Sequence, residues 1–155
     1  MAACVATLEA EGMRVGGLLQ RRGAAIAPGR LEMLLTFLPG WGTISLEDRQ
    51  GAGASGCRLD VHALARAAMA LREAVASHPD LIVVNRFGKE EAAGGGLRAE
   101  IATAILDDLP VLIGVRRPQF EAWQTFLGAE IVVLPPLPGM LLAWARKQIA
   151  QTSLP

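Results

Sequence analysis

Residues 80–91, DLIVVNRFGKEE, constrain the fold more than any other stretch of the chain. Leu81, Ile82, Val83 and Val84 form an unbroken apolar run, rich in β-branched residues, between Pro79 and Gly88. A strand that is apolar on both faces belongs in a parallel sheet with helices on each side. Asn85, Arg86, Lys89, Glu90 and Glu91 stand at or just past its carboxyl end. Ligands of open α/β sheets bind outside the carboxyl ends of the strands, so this turn is the first candidate site.

The rest of the chain can be arranged around that strand. Residues 2–10 are alanine-rich and favour a helix, with Gly12 as its stop. Residues 13–19 read as a strand ending at Gln20 and Arg21, followed by a glycine-rich turn. Leu31, Met33, Leu35 and Phe37 alternate, Pro39 and Gly40 mark a turn, and residues 41–46 alternate again. That pattern predicts a β-hairpin, with a short helix over residues 30–38 as the alternative. Residues 48–56 are small, polar and glycine-rich and read as a mobile loop.

Asp60 is placed to cap a helix whose apolar residues Val61, Leu64, Ala68, Leu71 and Val75 recur at helical spacing until Pro79. Beyond glycines 94–96, a second helix puts Leu97, Ile101, Ala104 and Ile105 on one face. Residues 110–115 read as a strand ending at Arg116 and Arg117. Pro118 opens the next helix, which carries Phe120, Trp123 and Leu127 and is closed by Gly128. Residues 131–134 read as the last strand and residues 138–151 as the last helix. From Asp60 onward helices and strands alternate, which predicts an α/β domain of three layers, a parallel sheet between helices, with the hairpin as an insertion.

Length and charge set outer bounds. The 155 residues suit one domain spanning residues 1–155. Lys+Arg 15 balance Asp+Glu 15, so no net charge draws the chain to nucleic acid. Membrane insertion is not expected either. Residues 1–12 lack a basic start and carry Glu9 and Glu11, and the apolar residues 131–145 are interrupted by Pro135, Pro136, Pro138 and Gly139. They fall short of the roughly 20 residues a spanning helix needs. Cys4 and Cys57, with only His62 and His78 beside them, are too few for a disulfide framework or a structural zinc site. Reduced thiols in a cytoplasmic setting are the expectation.

The expected strand ends bring Gln20 and Arg21, Asn85 and Arg86, and Arg116 and Arg117 to one rim, cationic in a neutral chain. Arginine presents a planar fork of donors suited to phosphate or carboxylate, each charge-assisted hydrogen bond contributing about 1.5 to 3 kcal/mol. The candidate binding set for a small anion is therefore Gln20, Asn85, Arg86, Lys89, Glu90 and Arg116, with no catalytic and no metal-binding residue assigned. The alternatives are that loop arginines are simply solvated, and that Lys89 pairs with Glu90 or Glu91 to stiffen the turn. Glycines 94–96 are either a flexible connector or a helix start offering backbone N–H groups to an anion. Cys57, Arg58 and Asp60 are secondary candidates: Cys57 beside Arg58 is either a reactive thiol or a buried structural one, and Asp60 either an acid or a cap. His62 and His78 are expected in solvent.

VGGLLQ at residues 15–20, GCRLD at 56–60, the stretch 80–91 and GLRAEI at 96–101 together resemble a bacterial domain family of unknown function, often encoded near molybdenum-uptake genes. That family is in turn similar to small P-loop nucleoside-triphosphatases, whose Walker B strand ends in Asp-Glu. Here Asn85 and Arg86 occupy those positions, no G-x-x-x-x-G-K-[ST] occurs, and the first strand and its phosphate loop are missing. The loss of one preorganised stabilising group typically costs about 10² to 10³ in rate, so no active triphosphatase is expected. The resemblance implies a P-loop-like fold and an accessory protein that binds a nucleotide phosphate, with or without magnesium, or an oxyanion such as molybdate. It leaves two alternatives: a phosphohydrolase in which Glu90 or Glu91 supplies the carboxylate, and a structural partner in a transport or cofactor-assembly complex. In the last case a second copy or another protein would cover exposed sheet edges.

Overall fold

In the computed structural model of the protein, residues 1–40, 42–46, 60–128 and 131–152 are described. The chain runs through α1 (Ala2–Ala10), β1 (Val15–Ala27), β2 (Arg30–Leu38), β3 (Gly42–Ser45), α2 (Val61–Ala76), β4 (Leu81–Phe87), α3 (Lys89–Ala92) and α4 (Arg98–Leu106). It continues through β5 (Val111–Val115), a 3-10 turn (Arg117–Gln119), α5 (Phe120–Leu127) and α6 (Pro138–Thr152). The apolar run at residues 81–84 is fully buried, and alternate side chains enter two separate cores. Ile82 and Val84 pack with α2, α4 and α5; Leu81 and Val83 pack with α1 and α6. Helices therefore cover both faces of the sheet, and the fold is the expected three-layer α/β arrangement, compatible with a P-loop triphosphatase-like architecture.

The five strands lie in the order β3-β2-β1-β4-β5. β1, β4 and β5 are parallel, whereas β1, β2 and β3 are antiparallel, so the hairpin forms one half of a mixed sheet. The sheet is continuous, with β1 at its centre. Gly17 allows β1 and β4 to approach: a Cβ there would sit 2.0 Å from the Val83 carbonyl oxygen, and its φ of +122° suits glycine alone.

Several expectations change. The glycine-rich turn after Arg21 is absent. Gly23 lies inside β1, which pairs with β2 until the tight turn at Pro28 and Gly29. Residues 30–38 form a strand, which removes the helical alternative, and β3 completes the hairpin from Gly42. Trp41, the loop 48–56, Cys57 and Arg58 lie outside the described residues.

The strand expected at residues 131–134 does not hydrogen-bond into the sheet. Ile131 packs against the core under α5 and Leu134 against the core under α6, so this segment carries the chain from one face to the other. Pro135 and Pro136 have no N–H to extend a ladder, and Val132 and Val133 stay exposed.

Candidate functional site

The carboxyl end of β4 is shaped by a competition between backbone pairing and apolar burial. Asn85 pairs with Leu19 on one side and Gly114 on the other, then the register shifts so that Phe87, rather than Arg86, pairs with Val115. Arg86 is the extra residue of a bulge, and the peptide joining it to Asn85 is cis. A lost ladder hydrogen bond costs about 0.5 to 1.5 kcal/mol net. Burying a phenylalanine contributes about 1.5 to 3 kcal/mol, so burial wins. Phe87 becomes fully buried, its ring edge-on to Trp123 with centroids 5.1 Å apart and stacked on Phe126 at 6.1 Å. Bulges re-aim side chains, and this one turns Arg86 out toward the rim.

Arg116, the first residue beyond β5, stands at the end of the neighbouring strand. Burial, and next the charge of Arg116, hold the Arg86 pKa below its usual value. Among the described residues neither guanidinium has a carboxylate partner. Asn85 flanks them, half-buried, with Oδ1 only 3.0 Å from where a Cβ of Gly114 would stand. Its amide likewise makes no hydrogen bond among the described residues. Together Arg86, Arg116 and Asn85 present donors with unfilled capacity at the ends of two adjacent parallel strands.

The other candidates separate from this group. Gln20 lies on the opposite face of the sheet from Asn85: Leu19, which pairs with Asn85, belongs to the α1 and α6 core, and Gln20 alternates away from it. Its Nε2 donates to Met33 Sδ at 3.1 Å. Lys89 and Glu90 are exposed on α3 and, among the described residues, form no ion pair, so the expected pairing of Lys89 with a glutamate is not what stiffens the turn. Asp60 caps α2 through a 2.8 Å hydrogen bond from the His62 backbone N–H. His62 and His78 are exposed as expected.

Glu91 supplies the rigidity. It is buried at 5% exposure, accepting from the Gly88 backbone N–H at 2.8 Å and the Leu97 N–H at 3.0 Å, one bond to each oxygen. The backbone donor freed at the start of α4 thus meets an anion that the chain itself provides. Gly96 leaves room for it, because a Cβ there would fall 2.2 Å from Glu91 Oε1. Arg98 closes the loop by donating to the Glu91 carbonyl at 3.3 Å while its guanidinium lies 4.4 Å over the Phe126 ring. With both oxygens engaged, Glu91 is a structural carboxylate. The sequence signal was the three-residue spacing from Gly88 to Glu91, the geometry of a helix-start box.

Two further places are chemically satisfied. A groove of about 210 Å³ between α2 and α4 is lined by Arg72, Val75, Ala99, Glu100 and Thr103, and Arg72 pairs with buried Glu100 at 2.7 Å. Cys4 is buried, which pushes its thiol pKa up and away from nucleophile character.

Two guanidinium groups supply no oxygen ligand for a divalent cation, so a magnesium ion at the rim would be held by the oxygens of a bound phosphate and, from the rim itself, by the Asn85 amide oxygen alone. Among the described residues, no group of three or more His, Cys, Asp or Glu is placed to hold a metal. Among them also, no helix is long and apolar enough to cross a membrane.

Comparison with known proteins adds a context. The family described as "Protein of unknown function (DUF2478)" matches residues 1–144. The chain is 43% identical over 117 residues to the molybdenum import ATP-binding protein ModC 2 of Bradyrhizobium diazoefficiens. The match covers 76% of this chain and 13% of that protein, so the chain spans only a small part of its relative's length. No solved structure matches.

Proposed function

The chain belongs to the DUF2478 family, and from that premise we propose that it is an accessory module that binds a small oxyanion and serves molybdenum uptake. The observation that carries the reading is the place of Arg86 and Arg116: the bulge turns Arg86 out at the end of β4, Arg116 stands at the end of the neighbouring β5, and among the described residues neither has a carboxylate partner. Holding like charges together costs free energy unless a ligand or a partner neutralises them, and a tetrahedral oxyanion such as molybdate offers the matching charge and acceptors. Asn85 adds an uncharged amide to the same rim.

The relative supports the pathway half of the reading. In the Bradyrhizobium protein the matching stretch is part of one polypeptide named as a molybdenum import ATP-binding protein. A stretch that works joined to such a protein there has a natural role beside one here.

A thermal-shift screen of the purified protein against molybdate, tungstate, sulfate and phosphate, and against ATP and GTP, each with and without magnesium, tests the reading. A ligand at 100 times its dissociation constant stabilises by about 2.7 kcal/mol. The expected result is a shift with an oxyanion that needs no magnesium and disappears in Arg86→Ala. A shift only with magnesium and nucleotide, or none with any anion, contradicts it.

A further inference from the structure

Sequence spacing points to Gln20 as the residue that β1 brings to the rim, but the register of the sheet selects Arg21. Leu19 pairs with Asn85, and Leu18 and Leu19 enter different cores, so side chains alternate regularly at this point. The pairing of β1 with β2 runs without a shift from Gly17 to Arg22. Arg21 therefore shares the face of Leu19 and Asn85, the one that α1 and α6 cover, whereas Gln20 and Arg22 turn to the other. The two arginines of the neighbouring strands turn the same way. A Cβ on Gly114, the partner of Asn85, would stand 3.0 Å from Asn85 Oδ1, 3.7 Å from Arg86 Cβ and 3.4 Å from Met1 Sδ at the start of α1. Arg86 thus leaves the bulge on the side of Asn85. Val115 packs toward the opposite core, and Arg116 after it keeps extended backbone, at φ −76° and ψ 143°, so it alternates back to that side as well.

We infer that Arg21 is a third arginine of the anion site, and that the three, with Asn85, are matched to a dianion. This rests on the anion reading of Arg86 and Arg116. The strands β1, β4 and β5 are neighbours, so Arg21 and Arg116 flank Arg86 from strands about 10 Å apart. Arg21 is exposed and, among the described residues, has no carboxylate partner. Glu32, on the same face of β2 by register, makes no ion pair with it. Planar forks of donors reaching one ligand from three strands recognise its acceptors, and three positive charges weigh its charge. A tetrahedral monoanion offers the same shape as molybdate or sulfate but less charge for each guanidinium to answer, so the site discriminates between them.

Titration calorimetry of the full chain against molybdate, sulfate and perchlorate, all tetrahedral, is the test. The parent should bind the two dianions about tenfold or more tightly than perchlorate. Arg21→Ala should weaken molybdate by roughly 10- to 100-fold, as loss of a charge-assisted hydrogen bond does, and perchlorate by less, so that the preference narrows. Arg21→Lys keeps the charge and should retain most of the preference. Arg22→Ala, its neighbour on the opposite face, should bind like the parent within about twofold. An Arg21→Ala variant that binds molybdate like the parent, while Arg86→Ala does not, overturns the inference and leaves the anion reading standing. Equal losses from Arg21→Ala and Arg22→Ala overturn it too, because they would report the general field of the hairpin rather than contact from one face. A parent that binds perchlorate as tightly as molybdate overturns the match to a dianion, and a parent that binds no oxyanion overturns the inference together with the reading it rests on.

Discussion

The two ends of the parallel strands treat their arginines differently. At the amino end, Arg14 meets Asp80: its backbone N–H donates to Oδ2 at 2.7 Å and its guanidinium to Oδ1 at 2.9 Å, tying the starts of β1 and β4 together. At the carboxyl end, Arg86 and Arg116 stand at the ends of neighbouring strands, and among the described residues neither has a carboxylate partner. A cation with an internal partner belongs to the fold. Under the proposed function, a pair of cations without one is met by an anion from solution. Glu91 sharpens the contrast, because it lies in α3 just after Arg86 yet directs both oxygens to the Gly88 and Leu97 backbone N–H groups.

The largest expected effect is at that internal carboxylate. Glu91→Ala leaves two backbone donors in a closed loop without an acceptor, at about 1 to 3 kcal/mol each, so urea denaturation should show a loss of about 3 kcal/mol or more. Glu91→Gln, which keeps one acceptor oxygen, should lose clearly less. If Glu91→Ala were as stable as the parent, the carboxylate would not be what orders the loop.

A smaller effect is expected at Asp80, and it depends on pH. Burial acts to raise its pKa, but the hydrogen bonds from Arg14 and the charge of its guanidinium more than offset this, leaving it below the usual value. A depressed folded-state pKa contributes stability that is full above the unfolded value, about 3.9, and is lost as pH falls through the folded value. Arg14 is largely exposed, so solvent screening limits the contribution to about 1 kcal/mol. Asp80→Asn should therefore lower stability at neutral pH and narrow to little difference from the parent at the acid end. An unchanged acid limb would remove the pair from the account.

The smallest effect on stability is expected at Arg86. Arg86→Ala removes one of two repelling charges and should leave the unfolding free energy within about 0.5 kcal/mol of the parent, or slightly above it. A loss as large as that of Asp80→Asn would mean that the two ends of the sheet do not differ as described.

What the sequence revealed and concealed follows the same division. The covered strand, the helix capped by Asp60 and the hairpin were legible because burial pattern and local capping are written in neighbouring residues. The strand expected at residues 131–134 was not, because an Ile-Val-Val-Leu run favours extended backbone whether or not a partner strand is present. Gly23 signalled a turn, yet its place inside β1 depends on pairing with β2. The cationic rim was legible as strand-end arginines. The exclusion of Gln20 was not, since it turns on which face of β1 the residue occupies. Glu91 was weighed as a carboxylate for chemistry, and only its contacts to Gly88 and Leu97 reveal its structural part.

The most direct measurement is a double-mutant cycle on oxyanion affinity, with titration calorimetry of the parent, Arg86→Ala, Arg116→Ala and the double variant against molybdate, and sulfate as competitor. If the two guanidinium groups hold one anion, each single change should weaken binding by roughly 10- to 100-fold, from about 1.5 to 3 kcal/mol per charged hydrogen bond. The double change should cost less than the sum, because either loss alone already breaks the shared site. Binding that survives both substitutions, or a parent protein that binds no oxyanion, would contradict the account.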